Sequence, residues 1–296
     1  MPGDLEEKES SSHSTVRGHY RSQKQCQKSS FAFYQAVRDL LAVWILEDMR
    51  SMEVFHWEDD GRALAFSPSE ALLYAVVHDH MPYARYLLAT YSLRALDVPS
   101  RSFCCCPASA APHITVAVRY NRTGILRLIL QTLKGCTAAE RSAYLNRRGC
   151  SHLDNGRTPL HLACDLGRPE CVALLLGHTA SPYVTDCNGD TPLDSLLRLM
   201  CHSDLDRRRQ RACLRHLLLF MPELRFSMRR QMREQPDIWT HMLGEQTFLY
   251  LSGWAPPTLF VCAMQTLIRT ISPDNLPDGL EELPVPTLLK PLDVRL

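Results

Sequence analysis

Two nearly identical stretches set 33 residues apart constrain this chain more than any other feature. Asn155-Gly156-Arg157-Thr158-Pro159-Leu160-His161-Leu162-Ala163 returns as Asn188-Gly189-Asp190-Thr191-Pro192-Leu193. Each part has a physical task. Asn-Gly supplies a turn with positive φ, threonine caps the helix that follows, and proline at the first helical position forfeits no intrahelical hydrogen bond. Gly167 suits the end of that helix, and Val172, Leu175 and Leu176 give a second helix an apolar face. A helix pair this small cannot bury its own apolar face, so copies must stack on one another.

Degenerate copies lie upstream. Leu72-Leu73-Tyr74-Ala75 followed by Tyr86-Leu87-Leu88 has the same internal spacing as Leu160-His161-Leu162-Ala163 followed by Leu174-Leu175-Leu176, and Ile114-Thr115-Val116-Ala117 followed by Leu128-Ile129-Leu130 repeats it. The anchor alanines Ala75, Ala117 and Ala163 stand 42 and 46 residues apart, so the connections carry inserts while the helix pairs stay whole. The Thr-Pro-Leu-His signature at this period resembles the ankyrin repeat. That resemblance implies an all-α fold, an ankyrin-repeat solenoid of about four repeats, some degenerate or with inserts. The expected organisation is a polar tail over residues 1–28, an N-terminal helical cap over 29–66, repeats over 67–222, linking helices over 223–253 and a tail over 254–296. In the cap, Phe33, Val37, Leu40, Leu41 and Trp44 recur at helical spacing and predict one amphipathic helix ending near Arg50. His161 in its Thr-Pro-Leu-His setting reads as a structural histidine, bonded within and between repeats.

Composition excludes several classes. Lys+Arg is 33 and Asp+Glu 32, a net charge of +1, which argues against a chain-wide footprint for nucleic acid or anionic lipid. The basic run from Arg207 to Arg233 holds nine Arg against Glu223, yet no aromatic platform accompanies it, so it reads as solvated surface or a contact for an acidic protein partner. No apolar run approaches the roughly 20 residues that a transmembrane helix needs. The acidic start of the chain lacks an apolar signal core, and a cytosolic protein is expected. The 12 cysteines are scattered without a C-x-x-C pair, so we expect free thiols and no metal site. No phosphate-binding, dinucleotide-binding or metalloprotease motif occurs, and no cofactor is expected.

The composition changes after Trp254. Leu259, Ala263 and Leu267 fall at i, i+4 and i+8 along one helical stripe, with Pro257 and Thr258 suited to its start. Further on, Leu283-Pro284-Val285-Pro286-Thr287-Leu288-Leu289-Lys290 is biased to extended backbone by its prolines. This pair of elements resembles the SOCS box, and the whole resembles the ankyrin repeat and SOCS-box proteins. In that family a leucine, a small residue four on and an aliphatic residue eight on form the helix that docks on elongin C. Leu259, Ala263 and Leu267 match, with alanine where cysteine is usual and Cys262 one residue early. The second element contributes to choosing cullin-5, and Leu283, Pro284, Pro286, Leu289 and Lys290 match it.

The resemblance implies a non-catalytic substrate receptor of a cullin-RING ubiquitin ligase. It would hold a target protein on its repeats and recruit elongin B/C, cullin-5 and a RING subunit through the tail, leading to proteasomal degradation of the target. The long inserts near 92–111 and 131–152 are the expected recognition loops. The alternative is an ankyrin-repeat scaffold without ligase recruitment, in which the last helix caps the stack and Leu-Pro-Val-Pro is a linker.

Overall fold

The computed structural model describes residues 31–52, 56–59, 62–99, 111–149, 154–202 and 206–271, and divides into two compact units at Cys105/Cys106. The first unit begins with α1 (31–38), α2 (Val43–Ser51) and a hairpin of β1 (His56–Asp59) and β2 (Arg62–Ala65), antiparallel with His56 opposite Ala65. It continues with α3 (Pro68–Val77), α4 (Met81–Tyr91) and a 3-10 turn over Ser92–Leu96. The helical cap expected over 29–66 therefore contains a small sheet. Asp60-Gly61, between the two strands in sequence, is a pair that favours two-residue hairpin connections.

The single helix expected to end near Arg50 is in fact two. Leu40 has φ 57°, in the left-handed region, and the Leu41 N–H donates to Ala36 O at 3.1 Å while Leu40 N–H donates to Val37 O at 3.2 Å. This is the Schellman closure of a helix end, made here with leucine where glycine is usual. The break changes which apolar residues are buried: Phe33, Val37 and Leu46 are fully covered, whereas Leu40, Leu41 and Trp44 are exposed. Phe33 stacks on Phe66 with ring centroids 4.6 Å apart. Arg50 then ties the helix to its surroundings, donating to Phe66 O at 2.9 Å and Tyr91 Oη at 2.6 Å beside an ion pair with Glu47. His80 caps α4, accepting from Tyr83 N–H through Nδ1, and its Nε2 meets Leu41 O at 2.9 Å.

The second unit holds three helix pairs: α5 (Pro112–Arg119) with α6 (Thr123–Leu133), α8 (Pro159–Asp165) with α9 (Pro169–Gly177), and α10 (Pro192–His202) with α11 (Arg207–Phe220). First helices pack on first helices and second on second, so the apolar faces of α5, α8 and α10 form one continuous core with those of α6, α9 and α11. Ile114, Ala117, Ile129, Leu160, Ala163, Leu175, Leu196 and Leu217 are all essentially covered. The turn inside a pair is the same device in α3–α4 of the first unit and in α5–α6 and α8–α9 of the second. Asp79, Asn121 and Gly167 each close their first helix with positive φ, at separations of 42 and 46 that match those of the anchor alanines. In each case two backbone bonds return to that helix: from His80, Arg122 and Arg168 N–H to the carbonyls of Ala75, Ala117 and Ala163 at 2.8–2.9 Å, and from Asp79, Asn121 and Gly167 N–H to those of Val76, Val118 and Cys164 at 3.1–3.3 Å. One extra helix, α7 (Ala138–Leu145), occupies the insert between α6 and α8, started by a Thr137/Glu140 capping box. After α11 come α12 (Arg229–Glu234), α13 (Pro236–Leu243), α14 (Glu245–Ser252) and α15 (Leu259–Thr270).

The described cysteines are free thiols. Cys164, Cys171 and Cys213 are buried, and burial pushes the Cys171 and Cys213 thiols up to about 12, while Cys187 and Cys201 are exposed. Burial acts oppositely on His216 in α11, lowering it to about 4 with help from neighbouring Arg215. The folded value lies below the ordinary 6.5, so the unfolded chain takes up the proton first. The stability that neutral His216 retains above pH 6.5 is therefore lost as pH falls toward 4. Replacing His216→Leu should reduce the loss of unfolding free energy between pH 7 and pH 5 by about 2 kcal/mol, measured by denaturant titration at the two pH values.

Candidate partner-binding surfaces

The repeated motif assembles as a relay from one repeat to the next. Asn155 and Gly156, at φ 49° and 67°, make the turn, and a Cβ on Gly156 would lie 2.6 Å from Cys187 Sγ, so glycine alone fits there. Asn155 O accepts from Cys187 N–H at 2.9 Å, which joins this turn to the next, where Gly189 has φ 82°. Thr158 caps α8, with Pro159 at its first position and Leu160 in the core. His161 is fully buried; its Nδ1 lies 2.8 Å from Thr158 Oγ1 and accepts from Thr158 N–H, while its Nε2 donates to Asp190 O at 3.0 Å. Burial lowers its pKa and keeps the ring neutral, with one nitrogen serving its own repeat and the other the next.

One repeat further on, Thr191 and Pro192 start α10, and the position matching His161 is Asp194. The sequence reading stopped at Thr191-Pro192-Leu193 and missed this residue. Asp194 Oδ2 accepts from Thr191 N–H and Oγ1–H at 2.9 and 2.8 Å. Its Oδ1, on a side chain at zero exposure, accepts from the N–H groups of exposed Ser227 and buried Met228 at 2.8 and 2.9 Å. A carboxylate can take both roles because it offers two acceptor oxygens, and the amides of 227 and 228 need an acceptor where imidazole would present a donor. The spacing Thr-x-x-Asp was the available signal.

The C-terminal stripe sits on a helix with two different faces. Thr258 caps α15, accepting from Val261 N–H at 3.4 Å. Met264, Gln265 and Ile268 face inward against α11, and Gln265 Nε2 donates to Leu218 O at 2.8 Å and Met221 O at 3.2 Å, two carbonyls at the end of that helix. The predicted stripe lies on the other side. Leu259 is 89% exposed, Ala263 is exposed and Leu267 is half-buried, and together with Cys262, Thr266 and Thr270 they line a shallow groove. Cys262, one residue early in the motif, borders the same face as Ala263. Just before the helix, Gly253 closes α14 at φ 79° and Trp254 meets Phe248 edge-on at 5.4 Å. The second element, Leu283, Pro284, Pro286, Leu289 and Lys290, lies outside the described residues.

Helix pairs opened by a capped Thr-Pro, closed by a left-handed residue and stacked through their turns define an ankyrin-repeat protein, and the family description "Ankyrin repeats (3 copies)" matches residues 114–204. The chain is 49% identical over 93% of its length to the mouse ankyrin repeat domain-containing protein 9, covering 92% of that protein. It belongs to the ankyrin repeat domain-containing protein 9 family. Two more distant relatives share only a part: the target of rapamycin complex 2 subunit AVO2 of Saccharomyces cerevisiae is 30% identical over 38% of this chain and 23% of that protein. Regulatory protein NPR5 of Arabidopsis thaliana is 50% identical over 15% of the chain and 9% of its own length. Among the described residues no helix is long and apolar enough to cross a membrane. Ankyrin repeats bind proteins, so the chain is a repeat-based protein-interaction adaptor.

Replacing Asp194→Ala would strand the buried amides of Thr191 and Met228 and free the Ser227 amide from its acceptor. We expect a loss of about 3 kcal/mol or more in a denaturant titration of the full chain, against less than about 1 kcal/mol for the exposed Glu234→Ala, which removes only a surface i,i+4 ion pair.

Proposed function

We propose that this adaptor is the substrate-receptor subunit of a cullin-RING ubiquitin ligase, with α15 as its elongin-binding helix. The supporting observation is the division of labour on α15: the inward face is spent on α11, and the apolar stripe Leu259, Ala263 and Leu267 is left to solvent. A leucine at 89% exposure gains nothing from its own fold, whereas inserted into an elongin C pocket it becomes a buried anchor. Ala263 is small enough to let a partner helix approach its backbone. The Leu283–Lys290 element completes the reading as the segment that selects cullin-5, which brings the RING subunit.

The chain performs no chemistry in this reading. Holding the target beside the charged ubiquitin-conjugating enzyme raises the effective concentration of target lysines. The inserts near 92–111 and 131–152 are the proposed target loops. The chain itself has five lysines, with Lys134 alone between residues 29 and 289, so it offers few sites for its own modification.

The scaffold reading draws on the other face of α15, since Met264, Gln265 and Ile268 also cap α11. The two readings separate on the outward face. Leu259→Asp with Ala263→Asp should abolish co-purification of elongin B/C while leaving the melting temperature unchanged, because both side chains are exposed. Undiminished elongin binding would overturn the ligase reading and leave the scaffold.

A further inference from the structure

A second concavity lies on the opposite side of the start of α15. It has a volume of about 820 Å³ and is walled by α11, α14 and residues 255–261, all within the second unit. Its floor is apolar, with Leu214, Leu218, Leu249 and Phe260 among the lining side chains. Arg208, Arg211 and Arg215 also line it, and among the described residues no aspartate or glutamate does. These positions are spaced i, i+3 and i+7, so they project along one side of α11.

The basic run of Arg207–Arg233 explains why these guanidiniums matter. Arg209 pairs with Asp206, Arg225 with Glu223 and Arg230 with Glu234. Arg229 donates to Leu224 O and Arg233 to Ser252 O, so these two fasten loop and helix ends. Arg211 spends one N–H group on Met242 O at 2.9 Å. Arg208 and Arg215 have neither an ion pair nor a hydrogen bond among the described residues, and both stand exposed at the cavity wall. The run is thus consumed by the fold except at the cavity.

We propose that this cavity is a docking site for an acidic peptide segment of a protein partner, one that places apolar side chains on the leucine floor and carboxylates against Arg208, Arg211 and Arg215. Cationic walls with no counter-charge among the described residues select an anion, and guanidinium forks match carboxylates in geometry as well as charge. The apolar floor selects an anion with leucine or phenylalanine anchors over a bare polyanion, and the volume falls in the range of sites that enclose several side chains. Nucleic acid, the other polyanion, lacks an aromatic stacking partner for its bases beyond Phe260 and Tyr250 in this wall. The site uses the side of α15 away from Leu259, Ala263 and Leu267, so it stands independently of elongin recruitment.

The test uses the full chain and a fluorescein-labelled probe peptide, Glu-Leu-Glu-Glu-Leu-Phe-Glu-Glu, read by anisotropy. Saturable binding is expected, weakened roughly tenfold or more by Arg208→Glu with Arg215→Glu and by the same peptide with serine in place of leucine and phenylalanine. It should also weaken as salt is raised. Arg208→Gln with Arg215→Gln should give an intermediate loss, and because both side chains are exposed the variants keep the parental melting temperature. Absence of saturable binding, equal affinity of the charge-reversed chain, or equal binding of the serine peptide would each overturn the proposal. So would a 12-nucleotide polyuridine that binds more tightly than the peptide and depends on the same arginines. No ligase subunit enters the assay, so its failure is distinct from failure of the elongin experiment.

Discussion

The structure of the second unit depends on a side chain that serves two repeats at once. His161 closes the start of α8 through Nδ1 and holds the next turn at Asp190 through Nε2. Asp194 closes the start of α10 and holds Ser227 and Met228. Helix pairs of this size have little core of their own, so their cohesion comes from these buried polar links together with the apolar faces that the links align. Because an unpaired buried amide costs more than a made bond returns, the relay fixes the register of the stack as well as adding to its stability. It also anchors the segment that follows α11, at Ser227 and Met228. Gln265, donating to two carbonyls at the end of α11, separately holds α15 to that helix.

Much of this was legible in the residues. The 33-residue echo specified the capped helix pairs, and the anchor alanines located the degenerate ones, since the left-handed closures at Asp79, Asn121 and Gly167 fall at the same separations. Legibility failed where local backbone competed with periodicity. Leu40 sits at i+7 from Phe33 and reads as helix, but it adopts a glycine-like conformation, so the apolar residues that follow it turn out to solvent. The β1–β2 pair is a second departure, and Asp60-Gly61 in the sequence between the strands is a signal that a search for helical periods passes over. The helix over 138–145 was announced by Thr137-x-x-Glu140, a capping box hidden in what counts as an insert.

The tail shows a different limit. The spacing of Leu259, Ala263 and Leu267 defined a stripe, but a stripe alone does not say whether it faces the core or the solvent. Met264, Gln265 and Ile268 decide the matter, because α15 can bury only one side against α11 and they occupy it. One helix then separates two surfaces, an apolar groove on the outside and an arginine-walled cavity beside its first turn. The two surfaces share one supporting helix without sharing side chains.

The central claim is that the outward face of α15 is a partner surface built on an inward face that is already satisfied. Hydrogen exchange on the full chain, with and without purified elongin B/C, addresses it directly. The account predicts that added elongin B/C slows exchange in the amides of 259–270 while those of α8 and α10 stay unchanged. Unaltered exchange across α15 at saturating elongin B/C would contradict it.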